Sequence, residues 1–141
     1  MHLLLKTSML ATLILQVPEG RDFSKKLQGT WVWYKTITSD LNVGNKTKLP
    51  STCSCSKTLE FTKDGKIRVF ENDSLTGESL YKVDSIHFLK DPVRYVLNSA
   101  LLSNDLSLEN GNLILGQSGG CSVMEYYRPK GKKTNKHRQQ R

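Results

Sequence analysis

Three cysteines are the residues of this 141-residue chain best placed by type and spacing to do chemistry. Cys53 and Cys55 are separated by one residue, and Cys121 lies far along the chain. In an oxidising compartment, three thiols predict one disulfide and one free cysteine. A bridge between Cys53 and Cys55 would close a tiny strained ring. We therefore expect Cys121 to pair with Cys55, which lies nearer the following strand, or with Cys53 as the alternative, for about 4 kcal/mol of stabilisation.

The other reactive side chains do not form a recognisable catalytic or metal set. A Cys-x-Cys pair with a third thiolate lacks a fourth zinc ligand in the sequence. The chain has no phosphate-binding glycine loop. His87 is expected to be an ordinary strand residue, and the glutamates fall on separate predicted strands: Glu60, Glu71, Glu78 and Glu125. These observations predict a protein that is not an enzyme and needs no metal or cofactor.

Four aromatic residues are candidates for lining a ligand cavity. They are Trp33, Tyr81, Tyr95 and Tyr126, all in predicted strands. Aromatic walls with a few polar tips suit a small hydrophobic molecule. The same side chains could instead fill the interior, because an eight-stranded barrel is just wide enough for its own side chains or for one small ligand. Both alternatives stay open from the sequence.

The elements that must position these residues are short strands. From residue 27 onward, strand-like runs alternate with turn signals, which is typical of a barrel or sandwich. The first strand is predicted at 30–38, and a long polar loop follows at 39–52. Further strands are predicted around Asp64-Gly65, at 77–85, at 86–89 and 93–98 on either side of Pro92, around Asn110-Gly111, and at 121–128. One helical turn is expected at 23–27, and another short turn at 99–104.

Two hairpins have a register that can be argued from the buried face. A three-residue loop, 63–65, sets Phe61 opposite Ile67 and Leu59 opposite Val69, with Gly65 at the left-handed bulge position. A two-residue turn at Asn110-Gly111 gathers four leucines on one face by pairing Leu106 with Leu115 and Leu108 with Leu113.

The two ends of the chain differ from its body. Lys6 and the apolar run after it predict a secretory signal peptide over residues 1–20, and the run is too short for a transmembrane helix. The net charge of +8 is concentrated in residues 130–141, which hold six of the 21 basic residues. Such a tail is expected to be disordered and to cling by charge to an anionic envelope surface. No motif of a nucleic-acid-binding fold accompanies it, so no specific nucleic acid is expected.

Gly29, Trp31 and Arg128 carry a resemblance to the lipocalin superfamily. The first two open the first strand in a Gly-x-Trp motif, and the arginine closes the last strand. Within that superfamily, the chain most resembles the bacterial lipocalin-like domain proteins of the cell envelope. The matching stretches are residues 27–33, 58–66, 106–115 and 126–128. The resemblance implies an antiparallel up-and-down β-barrel of about eight strands over residues 21–129, with a short helical turn at its N-terminus. It also implies that Arg128 lies across Trp31 at one closed end.

The resulting hypothesis is a secreted or periplasmic barrel, stabilised by a disulfide, that binds a small hydrophobic molecule within it. The alternative is an envelope interaction protein with a filled barrel, which binds a protein or polysaccharide through its surface and basic tail. An open apolar interior favours the first hypothesis, and a filled interior favours the second. Ligand identity and oligomeric state do not follow from the sequence.

Overall fold

The computed structural model describes residues 19–87, 89–90, 92–117 and 121–131. In chain order its elements are α1 (Glu19–Leu27), β1 (Gly29–Asp40), β2 (Gly44–Lys48), α2 (Pro50–Cys53), β3 (Lys57–Phe61), β4 (Lys66–Glu71), β5 (Ser74–Ile86), β6 (Arg94–Ser99), β7 (Ser103–Glu109), β8 (Asn112–Gln117) and β9 (Cys121–Pro129). The predicted signal peptide, except for its last two residues, and the basic tail from residue 132 lie outside the described residues. Neither helix in the described part has the length and apolar composition that a membrane crossing requires.

The strands form one antiparallel sheet that closes on itself. Its order is β2-β1-β3-β4-β5-β6-β7-β8-β9, and β1 also pairs with β9. The closed barrel therefore has eight strands, β1 and β3 to β9, while β2 is an additional strand beside the second half of β1. The predicted fold class, an antiparallel up-and-down barrel with a short N-terminal helix, is confirmed.

Both argued hairpin registers are confirmed. Phe61 pairs with Ile67 and Leu59 with Val69, and Gly65 has a φ of 82°. In the second hairpin Leu106 pairs with Leu115 and Leu108 with Leu113. Its turn residues, Asn110 and Gly111, have φ values of 52° and 77°, as a two-residue turn with two left-handed positions requires. In both cases the register places the apolar side chains on the barrel interior.

The predicted loop at 39–52 differs from the structure. It contains β2 and α2, and Thr36 and Ile37 of β1 pair with Lys48 and Thr47 of β2. Every residue of β2 is exposed, so the strand has no buried face and no apolar alternation to reveal it. Its existence depends on the free edge of β1, where β3 pairs only with the first part of that strand.

The start of β5 and the turn before β7 also differ from the predicted boundaries. Asn72 and Asp73 both have a left-handed backbone, with φ values of 48° and 65°, so β5 begins directly after this turn at Ser74 rather than at Gly77. The short turn expected at 99–104 is present but ends earlier, because β7 begins at Ser103; Oγ of Ser99 accepts the backbone N–H of Leu102 in it at 2.8 Å.

A β-bulge at Tyr34 changes the facing of β1. Trp33 pairs with Tyr127, and Lys35, two residues further along β1, pairs with the adjacent Tyr126, so Tyr34 is an extra residue on this strand. Before the bulge Trp33 faces the interior; after it Thr36 does. The bulge thus brings two inward side chains three positions apart into contact, and Nε1 of Trp33 donates to Oγ1 of Thr36 at 2.9 Å.

Large side chains fill the middle of the barrel. One apolar cluster joins the inward positions of β1, β3, β4, β6, β7, β8 and β9 to α1. Its fully buried members are Leu27, Leu59, Phe61, Ile67, Leu97, Leu113, Leu115 and Tyr127. Ligand-sized space among the described residues therefore lies at the margins of the core: in a side cleft, at the mouth of the barrel and beside the C-terminal end of α1.

Candidate ligand-binding site

A side cleft opens where the barrel wall is incompletely paired. The ladder between β6 and β7 runs from Asn98 and Ser103 to Tyr95 and Leu106 and goes no further. Strand β7 continues to Glu109, however, and its last residues pair with β8 alone. The wall is therefore open between the beginning of β6 and the end of β7. The side chain of Phe23, on α1, lies at this opening with its ring centroid 4.3 Å from that of Tyr95.

The cleft has a volume of about 420 Å³ and a mostly apolar lining. Its lining combines inward-facing residues with residues on the outer face of β7, β8 and β9. The cleft therefore connects the margin of the core with the outside. Volumes of roughly 300–1,000 Å³ are typical of small-molecule sites. The apolar side chains of the lining are Phe23, Val93, Tyr95, Leu106, Leu108, Ile114 and Met124.

One ion pair provides the charge in this lining. Nη2 of Arg94 donates to Oδ2 of Asp105 at 2.6 Å, between the first residue of β6 and an outward position of β7. Both side chains are well exposed, so the pair contributes little to stability. It offers a polar anchor for a ligand whose body is apolar, since a carboxylate or hydroxyl could share the guanidinium with Asp105.

Gly116, at the base of the cleft, has no side chain and so leaves room for Met124 to pack against its backbone. A Cβ atom at this position would come within 2.9 Å of Sδ of Met124, on the neighbouring strand. The thioether therefore lies directly over the glycine backbone. Sequence reasoning found only Tyr95 of this site, because the lining combines predicted core positions with outward residues between them and comes from five separate elements.

The four predicted cavity aromatics are not brought together. Trp33 is buried at the mouth of the barrel, and Tyr95 lines the side cleft. Tyr81 packs edge-on against Phe61 with centroids 5.1 Å apart, at the margin of the core. Burial raises the pKa of Tyr81 above its ordinary value. Each of these three inward aromatics thus lies in a different part of the interior.

Tyr126 lies on the outside of the barrel. It pairs with Lys35 and Ile114, which alternate with inward residues on their own strands. Nζ of Lys35 is 4.4 Å from its ring centroid, and the ring of Tyr34 is 6.1 Å away. An outer cluster of two tyrosines and a lysine therefore occupies the place where the bulge brings Tyr34 and Lys35 to the same face.

Arg128 joins this outer cluster, and the prediction that it lies across Trp31 is wrong. Its guanidinium carbon is 4.5 Å from the ring centroid of Tyr34, and its register partner is the outward residue Val32. Trp31 faces the interior, where Nε1 donates to the carbonyl oxygen of Leu27 at 2.7 Å. Because neighbouring strand residues point to opposite faces, a cross-strand partner of Val32 cannot cover Trp31. The C-terminal end of α1, rather than Arg128, contacts the indole of Trp31.

The predicted disulfide between Cys121 and Cys55 or Cys53 is also wrong. The structure joins Cys53 to Cys55 and leaves Cys121 as an exposed free thiol. Ser54, between the bonded cysteines, has a left-handed backbone with φ 50° at the end of α2. This turn brings the two Cα atoms to 5.2 Å, within the range that a disulfide spans. Cys121 is held elsewhere by its pairing with Asp40.

Between the apolar core and the mouth of the barrel lies a polar layer formed by Tyr127, Glu125 and Lys57. The O–H of Tyr127 donates to Oε2 of Glu125 at 2.7 Å, and Nζ of Lys57 donates to both carboxylate oxygens at 3.2 and 3.3 Å. Burial and the negative charges of Glu125 and Glu71 raise the pKa of Tyr127 far above its ordinary value. Tyr127 therefore remains a neutral donor. No group of three or more metal-ligating side chains was found in the described ranges.

Comparison with known proteins gives no family for this chain. No protein-family model matches it, and no curated protein matches it at a significant level. Among solved structures, it is similar to a de novo designed fluorescence-activating β-barrel, with 14% sequence identity and a TM-score of 0.39. That alignment covers 77% of this chain and 98% of the designed one.

Proposed function

We propose that this protein binds a small, mainly apolar molecule in the side cleft between β6 and β7. The observation that carries the proposal is the opening in the wall beside Tyr95 and Leu106, with its ligand-sized volume of about 420 Å³. An apolar ring or chain would lie along Leu106, Leu108 and Met124, and a polar end would reach Arg94. Burial of apolar surface would supply most of the affinity, at about 25 cal/mol per Å² before the cost of association.

The cleft supports this proposal better than a central cavity does. The middle of the barrel holds Tyr127, Phe61 and Leu115 with at most 1% of each exposed. A ligand placed there would have to displace a packed core. Binding at the cleft needs no such rearrangement, because the space is already open to the outside. The ligand would contact the interior only through Phe23, Tyr95 and the β7 leucines.

The test is a fluorescence titration with N-phenyl-1-naphthylamine, a neutral apolar probe whose emission rises in an apolar site. Ser107 lines the cleft from an outward position of β7, whereas Ser103, outward on the same strand, does not line it. Ser107→Trp places an indole in the cleft, and Ser103→Trp is the matched control with the same added surface. Melting temperatures of both variants confirm that each is folded.

Saturable binding with a Kd in the range of about 1–100 μM is expected for the wild type, which corresponds to roughly 5–8 kcal/mol. Ser107→Trp should weaken it at least tenfold, and Ser103→Trp should leave it within twofold. Absence of saturable binding, or equal affinity of the two folded variants, would contradict the proposal.

We also propose that the protein is a lipocalin-like binding protein that works after export rather than an enzyme. The up-and-down barrel behind a short helix and the Cys53–Cys55 disulfide support this, since disulfides persist mainly in oxidising compartments. Cell fractionation with mass spectrometry of the mature N-terminus tests the export. Recovery of the full-length chain, beginning at Met1, from the cytoplasm with all thiols reduced would count against it.

A further inference from the structure

A second pocket lies at the mouth of the barrel, at the end of β1 remote from α1. It has a volume of about 310 Å³ and is lined by Trp33 and Thr36 of β1, Lys48 of β2, and residues from β3, β4, β9 and the turns beside them. This mouth pocket shares no lining residue with the side cleft. Four charged side chains surround one aromatic ring in this pocket, whereas the lining of the side cleft has a single ion pair.

Trp33 provides a fixed aromatic wall. The residue is only 5% exposed, and its indole N–H donates to Oγ1 of Thr36 at 2.9 Å. The ring therefore keeps one orientation toward the mouth. An indole face is the best of the aromatic surfaces for attracting a cation, and the attraction grows when water is excluded.

The structure already places a cation over this ring. Nζ of Lys48 lies 6.0 Å from the Trp33 ring centroid. Lys48 belongs to β2, the additional strand, whose residues are all exposed. Its ammonium group therefore reaches the indole on a long flexible side chain and can leave the ring without disturbing the core.

The charges around the ring favour a cation once Lys48 has moved away. Lys57 is neutralised by Glu125, with Nζ 3.2 Å from the carboxylate. The carboxylate of Glu71 has neither an ion-pair nor a hydrogen-bond partner among the residues that the structure describes. Without Lys48, the pocket thus carries one unbalanced negative charge beside an aromatic face.

We propose that the mouth pocket is a binding site for small organic ammonium ions, which take the place of the Lys48 ammonium group over Trp33 and balance the charge of Glu71. Lys48 acts as a tethered competitor that occupies the cation position when no ligand is bound. The volume suits a primary or quaternary ammonium ion with one short chain or ring. The bound cation would contact the indole and leave the ion pair of Lys57 and Glu125 intact.

The test uses benzyltrimethylammonium as the probe, measured by isothermal titration calorimetry and by quenching of tryptophan fluorescence. Neopentylbenzene, the neutral compound of the same shape, is the control ligand, measured by the same quenching at its limited solubility. Lys48→Ala should tighten binding of the cation about three- to tenfold, because it removes the competitor. Glu71→Gln should weaken it at least fivefold.

Lys46→Ala is the matched control variant. Lys46 is on the same face of the same strand, two residues from Lys48, and is equally exposed. It removes the same charge without clearing the indole, so affinity should change less than twofold. If Lys46→Ala tightened binding as much as Lys48→Ala, or if the neutral compound bound as well as the cation, the proposal would be overturned. No binding of the cation by folded Lys48→Ala would overturn it as well. Probe binding in the side cleft would be unaffected by any of these results.

Discussion

Tyr127 and Glu125 are joined inside the barrel by a hydrogen bond of 2.7 Å, although they are only two residues apart on β9. Alternate residues of a strand face the same side, so both side chains point to the interior. Glu125 is also held by Lys57 from β3, on the other side of β1. This layer therefore links strands that are not paired with each other.

Tyr127→Phe should lower the free energy of unfolding by about 1–2 kcal/mol, because a partly buried carboxylate loses a donor. Chemical denaturation with urea measures the change. Tyr126→Phe is the control, since its hydroxyl lies on the outside and makes no hydrogen bond among the described contacts. It should change stability by less than about 0.5 kcal/mol. Equal effects of the two variants would show that the hydrogen bond contributes nothing.

Stability should fall as the pH rises above about 10. The pKa of Tyr127 is raised in the folded protein by burial and by the nearby carboxylates. The unfolded chain releases this proton near the ordinary tyrosine pKa of about 10, whereas the folded chain retains it. The stabilisation is therefore complete below pH 10 and is lost at up to about 1.4 kcal/mol per pH unit above it.

Unfolding with urea at pH 9, 10 and 11 measures this slope, and Tyr127→Phe provides the reference. The variant cannot release the proton, so its stability should fall less steeply. Parallel curves for the two proteins would contradict the assignment.

Arg128 should be energetically coupled to Tyr34 and not to Trp31. A double-mutant cycle of Arg128→Ala with Tyr34→Leu should give a coupling of about 0.5–1 kcal/mol, which is usual for an exposed cation over an aromatic ring. The matching cycle with Trp31→Phe should give less than about 0.3 kcal/mol. The reverse order would place the guanidinium inside the barrel.

One thiol per chain should react with Ellman's reagent in denaturant without reductant, and three after reduction. Replacing both Cys53 and Cys55 by serine should lower the free energy of unfolding by only about 1.5 kcal/mol, because the loop that they close contains three residues. Cys121→Ser should have almost no effect. A loss near 4 kcal/mol in either variant would indicate the long-range bridge instead.

Local features of the fold were predictable because neighbouring residues define them. Gly65 and the pair Asn110-Gly111 set their turns, and the apolar alternation around them set the registers. The same alternation placed Leu106, Leu113 and Leu115 in the core and Leu108 at its margin. It did not reveal β2, whose residues have no buried face.

The candidate sites were only partly predictable. Tyr95 and Trp33 were singled out as aromatics, and each lines one of the two pockets. The partners that give these pockets their chemistry, such as Met124, Lys48 and Glu71, look like ordinary strand residues in the sequence. They meet the other lining residues only in the folded sheet, where Met124 lies on β9, Lys48 on β2 and Glu71 on β4.

The sequence by itself determined that the chain forms short antiparallel strands and fixed the register of two hairpins, since turn residues and side-chain alternation act over a few positions. Tertiary structure alone decided which distant groups meet. The bulge at Tyr34 shifts the register of β1 by one residue, and the facing of every later residue on that strand depends on it. The left-handed turn at Ser54 likewise selects the disulfide. The bulge depends on pairing between strands far apart in the chain, so short-range patterns carry no record of it. The turn at Ser54 is local, but the residue types around it do not specify its left-handed backbone.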